Sequence, residues 1–399
     1  MRRGWRWQPG VPLRWRAGLA VTALAAPVVA TGAAWYADGV QGGPPAVPPP
    51  AFYRLPDPLP LPERPPGQLI RAVRIAGPAS PRGARAWAVL YHSRSADGHD
   101  VAVSGLVVAP PESARGGDRP VVAWAHGTAG LADRCAPSAR GLAGLRSFGR
   151  EWLGPLLDRG YVVVATDYEG LGTPGVHPYL VGDSEAHSVL DAVRAARQLR
   201  HARAGGRAVL WGFSQGGHAV LWAGQLARSY APELRVDGVV AVSPGGALAA
   251  LDRDPHRPAP VPTTSFAMLI AAAWHEVYGA PLDVLTPAGR QAAERALTDC
   301  PGWSDGGRAA LRADPRKAAP WPELLRRNTP GGTRVEAPVL VVQGGAEGAA
   351  PTATVRSLTA HLRELGGSAR LRLYPRVHHG GVMDASGPGV LAWIDTRLG

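Results

Sequence analysis

Short apolar runs, mostly unbroken by polar residues, recur along the chain from residue 86 onward. Eight have strand character: Ala86 to His92, Val101 to Ala109, Val121 to Trp124, Tyr161 to Thr166, Ala208 to Trp211, Val239 to Val242, Val339 to Val342 and Leu371 to Tyr374. From the third onward most are continuous rather than alternating, the form taken by parallel strands covered on both faces. Helical spacing marks Ser184 to Arg203, Gly217 to Ser229 and Thr352 to Leu365, and Val390 to Leu398 closes the chain. Strands and helices in alternation predict an α/β fold with a doubly wound, mostly parallel sheet. No helix separates the first two strands and Asp97-Gly98 marks a turn, so these two are expected to form an antiparallel hairpin at the sheet edge.

Two stretches break this rhythm. Between Ser243 and Val339 the pattern turns helical, around Ser265 to Tyr278 and Pro287 to Leu297, without a convincing strand. An inserted helical cap is expected over residues 247–335, with the α/β core formed by 67–246 and 336–399. At the other end, nearly every second residue from Pro44 to Pro66 is proline, which predicts an extended tether over 37–66. Before it, the stretch from Ala17 to Tyr36 carries no charge and is preceded by Arg2, Arg3, Arg6, Arg14 and Arg16. Residues 1–36 therefore read as an export segment, either a cleaved signal peptide or a retained membrane anchor. Pro27 and the alanine bias count against the anchor. Either form places the body of the protein outside the cytoplasm, secreted or held at the extracytoplasmic face.

Composition narrows the class. The chain has 399 residues, of which 45% are hydrophobic, enough to bury a large core and too many for a disordered protein. Its formal charge of +12 invites a nucleic-acid reading, but the arginines from Arg2 to Arg16 supply a clustered part of it and the rest is dispersed. Dispersed arginine is no footprint for nucleic acid; at most it favours anionic lipid or envelope surfaces. Two cysteines, Cys135 and Cys300, in an exported protein are most economically one disulfide, the other reading being two buried thiols. Neither they nor the scattered histidines have the spacing of a zinc site.

The chemistry is concentrated at strand ends. Gly212-Phe213-Ser214-Gln215-Gly216 has the form G-x-S-x-G, which by itself is a weak signal in a glycine-rich chain. Here it follows a strand and opens a helix, the setting in which a serine is presented on a sharp turn as a nucleophile. A serine hydroxyl needs a base, and the base an orienting carboxylate, in the chain order serine, acid, histidine. After Leu371 to Tyr374 come His378 and His379, of which His379, with glycines following, is the expected base. After Val339 to Val342 the single carboxylate before the next helix is Glu347, the expected acid. Oxyanion donors are expected from the backbone N–H groups of Gln215 and Thr128, the latter in the loop His126-Gly127-Thr128. His126 is expected to be structural, and the glycines of Asp167-Tyr168-Glu169-Gly170-Leu171-Gly172 to serve packing, the other reading being a loop that lines the site.

Taken together these segments resemble the secretory lipases of the α/β-hydrolase superfamily. The resemblance runs from about Phe52 to the C-terminus, through Ala125-His126-Gly127-Thr128, Asp133-Arg134-Cys135-Ala136-Pro137-Ser138, the Asp167 to Gly172 segment and Phe213-Ser214-Gln215-Gly216-Gly217. It implies an α/β-hydrolase fold, an exported hydrolase of carboxylic esters, often acylglycerols, with a helical cap over an apolar acyl channel, and a bridge from Cys135 to Cys300. The mechanism read from the residues calls for no cofactor or metal and for a lipophilic ester substrate, met at a lipid interface. Glu347 departs from the family, which usually has aspartate there. The extra methylene calls for a retracted backbone, which Gly345 and Gly348 would permit; the other reading is an impaired triad.

Overall fold

A computed structural model describes residues 43–56, 61–77, 80–81, 83–111, 117–145, 151–246, 264–300, 310–347 and 351–399. The export segment, residues 1–36, lies outside the described residues, as do 247–263 and 301–309 of the expected cap and Gly348.

Nine strands form one sheet: β1 (Leu69–Ile75), β2 (Arg85–Arg94), β3 (Asp100–Ala109), β4 (Arg119–Ala125), β5 (Val162–Thr166), β6 (Ala204–Phe213), β7 (Arg235–Val242), β8 (Val339–Gly344) and β9 (Ala369–Tyr374). Their order across the sheet is β1-β2-β3-β5-β4-β6-β7-β8-β9. The first three and the β3–β5 pair are antiparallel, and everything from β5 to β9 is parallel. β2 and β3 form the expected hairpin, in unbroken register from Arg85↔Ala109 to Arg94↔Asp100. They are not the edge. β1 covers β2 and takes that place. It escapes a period-two reading because its buried residues, Leu69, Ala72 and Ile75, are three apart, with a register shift between Leu69 and Arg71.

Side chains alternate to two apolar layers. One packs the sheet against α2 (Gly182–Arg197), α3 (Gln215–Tyr230) and α7 (Thr352–Glu364); the other packs it against α1 (Leu153–Asp158) and α8 (Val382–Leu398). Helices therefore cover both faces, as the continuous apolar runs require, in the α/β-hydrolase arrangement. Between β7 and β8 the described residues hold α4 (Thr264–Tyr278), α5 (Pro287–Thr298), α6 (Trp321–Arg327) and no strand beyond an isolated bridge, Leu285↔Leu311. Their apolar faces share a third cluster with Leu131, Tyr179, Leu180 and Val181 from the core loops. Trp274 stacks on Trp321 there and donates its indole N–H to the Tyr179 carbonyl at 3.0 Å.

The proline-rich stretch is less free than its composition predicts. Pro50–Tyr53 forms a 3-10 turn, which tolerates proline in its first positions, and Phe52 is buried. One guanidinium nitrogen of Arg71 binds the carbonyls of Ala51, Phe52 and Arg54 at 3.0, 2.8 and 3.1 Å. Burying a phenylalanine contributes roughly 2–3 kcal/mol, so the stretch is docked at Phe52 rather than extended there; residues 37–42 and 57–60 of the expected tether lie outside the described residues. Among the described residues no helix is long and apolar enough to cross a membrane.

Candidate active site

The order in which strands are added reverses between β4, which leads to β5 on one side, and β6, which leads to β7 on the other. Their carboxyl ends are level, with Ala125 opposite Gly212. The two following loops must diverge there, and the crevice between them is where a ligand meets an open parallel sheet.

Ser214 sits in that crevice, between the last residue of β6 and the first of α3, at φ 56°, ψ −114°. Such backbone is strained for any residue but glycine. It is held by the Ser214 N–H donating to the Val242 carbonyl at 2.9 Å. The motif glycines are needed for room: a Cβ on Gly212 would lie 2.0 Å from the Gly216 oxygen, and one on Gly216 only 1.8 Å from that of Ala125. A methyl at either place would push the helix off the sheet.

His379 reaches the serine from the loop after β9. Its Nε2 lies 3.0 Å from Ser214 Oγ and its Nδ1 2.8 Å from Glu347 Oε2. With Nδ1–H donating to the carboxylate, Nε2 is left as acceptor for the hydroxyl proton, the tautomer a general base requires. The ring also rests on Phe213, centroids 4.8 Å apart. His378 is exposed.

Glu347 is brought to the histidine by close backbone contact. Gly345 N–H donates to Tyr374 O at 2.8 Å and Ala346 N–H to Val377 O at 3.1 Å. A Cβ on Gly344 or Gly345 would stand 2.3 or 2.2 Å from the carbonyl oxygen of Val377 or Pro375. Only glycines allow the two loops to lie this close, and the glutamate is thereby accommodated. Its side chain is fully covered, and its second oxygen, Oε1, accepts from the Ser243 hydroxyl.

Gln215 is the first residue of α3, so its N–H has no partner within the helix and faces the crevice end of the helix dipole. Its side chain turns into the interior, where Nε2 lies 2.7 Å from both Glu185 Oε1 and His177 Nε2. Glu185 Oε2 is 2.6 Å from His218 Nδ1, and His218 Nε2 is 2.8 Å from the Asn328 carbonyl just after α6. Burial lowers the His177 imidazole to about 4, so it is neutral, donating through Nδ1 to Glu169 O and accepting through Nε2. Thr128 is tied by its hydroxyl to Tyr179 OH at 2.8 Å.

The neighbouring loops are held by contacts of their own. His126 Nδ1 lies 2.6 Å from Gly127 O, and its own carbonyl accepts from Tyr168 OH at 3.0 Å. Asp167 is buried and accepts from the hydroxyls of Ser104 and Ser138 and the Ser138 N–H; burial raises its carboxyl above the usual range. Gly170 and Gly172 have φ of 72° and 75° and pack against His177 and Tyr53. Cys135 and Cys300 are bridged, with Cα atoms 5.5 Å apart. Sequence reading overlooked Ser243, Glu185, His177 and His218. The signal present for Ser243 was a hydroxyl closing an apolar strand, before Pro244-Gly245-Gly246.

A family model for secretory lipases matches residues 149–273, a segment containing Ser214 and Gln215 and ending before Glu347 and His379. Lipase A of Moesziomyces aphidis is 35% identical over 112 residues, 26% of this chain and 23% of that protein. A probable inactive lipase of Mycobacterium tuberculosis is 32% identical over 178 residues, 42% of this chain and 39% of that protein. The matched stretches thus span less than half of these curated relatives. In fold, the chain is similar to Candida antarctica lipase A in its closed state, with TM-score 0.73 and 18% identity over 88% of this chain and 87% of that one. It is also similar to the rice cell wall degrading esterase LipA from Xanthomonas oryzae, with TM-score 0.65 and 19% identity over 84% and 98%. The resemblance to secretory lipases and the α/β-hydrolase architecture are both borne out.

Proposed function

We propose that the protein is an exported serine hydrolase of lipophilic carboxylic esters. The observation that carries this reading is the chain of contacts from Ser214 Oγ through His379 to Glu347, at 3.0 and 2.8 Å. Ser214 Oγ attacks the acyl carbonyl as His379 Nε2 takes its proton, and Glu347 stabilises the imidazolium. Negative charge on the carbonyl oxygen is held by the N–H groups of Gln215 and Thr128. Collapse breaks the ester C–O bond, and His379 returns the proton to the leaving alcohol. Water then adds to the acyl-enzyme with His379 again as base, releasing the acid and restoring Ser214.

The family name supports a secreted lipase, and the arginine-flanked apolar segment at residues 17–36 supports export. The family name also supports a lipid ester as the substrate. Ser214→Ala decides the chemistry. The parent is expected to take a fluorophosphonate label and turn over p-nitrophenyl esters, and the variant to lose the label and about 10⁴-fold or more of kcat. Unchanged turnover in the variant would reject the serine mechanism. An unlabelled, inactive parent would instead favour a catalytically impaired lipid-binding module; the mycobacterial relative is named a probable inactive lipase. Acyl transfer to added glycerol, in place of acid release, would assign the same triad to an acyltransferase.

A further inference from the structure

Ser243 follows the last residue of β7, is completely buried and has φ of 41°. This is left-handed backbone, in which a side chain crowds its own carbonyl and glycine is the usual occupant. Gly246, three residues on, also has a positive φ, 74°, and there the missing side chain avoids the strain. A serine at a strained position persists where surrounding contacts over-determine it, and the contacts here are specific. The backbone N–H donates to Val342 O at 2.7 Å, tying the residue to the end of β8. The hydroxyl donates to Glu347 Oε1.

The Glu347 carboxylate therefore has one oxygen on Ser243 and the other on His379, in a fully covered position. A glutamate has one more rotatable bond than an aspartate, and a carboxylate anchored through a single oxygen can swing about its terminal torsion, which is broad and shallow. Two anchors on opposite oxygens remove that freedom. We propose that Ser243 is a positioning residue for the triad, the group that makes a glutamate serviceable as its acid by keeping Oε2 on the His379 ring. The inference rests on the Ser214–His379–Glu347 hydrolase reading and deepens it.

Two substitutions separate the hydroxyl from the backbone. Ser243→Ala keeps the strained φ and loses only the hydroxyl, whereas Ser243→Gly relieves the strain as well. Both are expected to lower kcat on a short p-nitrophenyl ester by about tenfold, the scale for removing a partner that orients a functional ligand. KM should stay within about twofold, and the common loss should appear although the two melting temperatures differ. A merely structural serine would instead make activity follow stability, with the glycine variant the better enzyme. The same change in a Glu347→Asp background gives a second readout. That carboxylate is about 1.5 Å shorter and does not span both partners, so Ser243→Ala should lower kcat there by less than about twofold further. Unchanged kcat in both single variants, a loss carried by KM, or an equal tenfold loss in the aspartate background would overturn the assignment. A parent unlabelled by fluorophosphonate at Ser214 fails the hydrolase reading itself, whereas a labelled parent indifferent to Ser243 fails this inference alone.

Discussion

Gly216 lies against the end of β4, and Gly216→Ala tests whether that approach sets the oxyanion site. The new Cβ would lie 1.8 Å from the Ala125 carbonyl oxygen and 2.8 Å from that of His126. Real Cβ contacts essentially never fall below 3.0 Å, so the 1.8 Å approach has to open at least that far. Both obstacles are backbone, so no side chain can swing aside. Overpacking of this kind costs about 1–3 kcal/mol of stability, which a domain of this size survives. Activity should suffer more. The displaced strand end leads into the loop carrying Thr128, and the displaced helix begins at Gln215, so the two proposed oxyanion donors move apart together. Misplacement by about 1 Å costs roughly 100-fold in rate. Steady-state hydrolysis of a p-nitrophenyl ester, with thermal melts to show that the variant is folded, reads both effects. Gly206→Ala is the control, since its nearest contact would be an ordinary 3.5 Å. A folded Gly216→Ala protein within about twofold of the parental kcat would refute the reasoning.

Glu169 gives a pH test. Burial pushes its carboxyl up to about 7 from the ordinary 4.5, partly opposed by the Ser184 hydroxyl. Between those values the folded protein holds a proton that the unfolded chain has released, so stability falls as pH rises from about 4.5 through 7. Glu169→Gln removes this term. Measured by urea unfolding, the variant should gain up to about 3 kcal/mol on the parent between pH 5 and pH 8. His177, lowered to about 4 by burial, destabilises both proteins alike as pH falls from 6.5, and cancels from the difference; a difference flat with pH would contradict the account. The Cys135–Cys300 bridge closes a loop of 165 residues. Replacing both cysteines by serine should cost about 2–5 kcal/mol in denaturant unfolding, and an unchanged midpoint would show that the bridge constrains nothing.

What the sequence revealed follows from which interactions are local. Strands β4 to β8 were legible because burial on both faces leaves continuous apolar runs such as Val339 to Val342. Ser214, Glu347 and His379 were legible because each sits just past a readable strand end, in the order their chemistry requires. β1 was not, since Arg71 and Arg74 interrupt it and its buried residues do not alternate. The proline count of the tether hid Phe52, whose burial depends on docking against distant parts of the chain. Long-range polar partners were invisible for the same reason. Nothing near Ser243 announces a carboxylate 104 residues away, nor does the sequence around Glu185 announce His218, 33 residues on.

The central claim is that His379, and not its neighbour, activates Ser214. The rate of fluorophosphonate labelling at Ser214, compared between His379→Ala and His378→Ala, tests it most directly. His379 lies 3.0 Å from the serine oxygen, while His378 is exposed. Labelling is expected to fall by about 10³-fold or more in His379→Ala and to stay within about twofold of the parent in His378→Ala. Parental labelling in the first variant, or its loss in the second alone, would contradict the account.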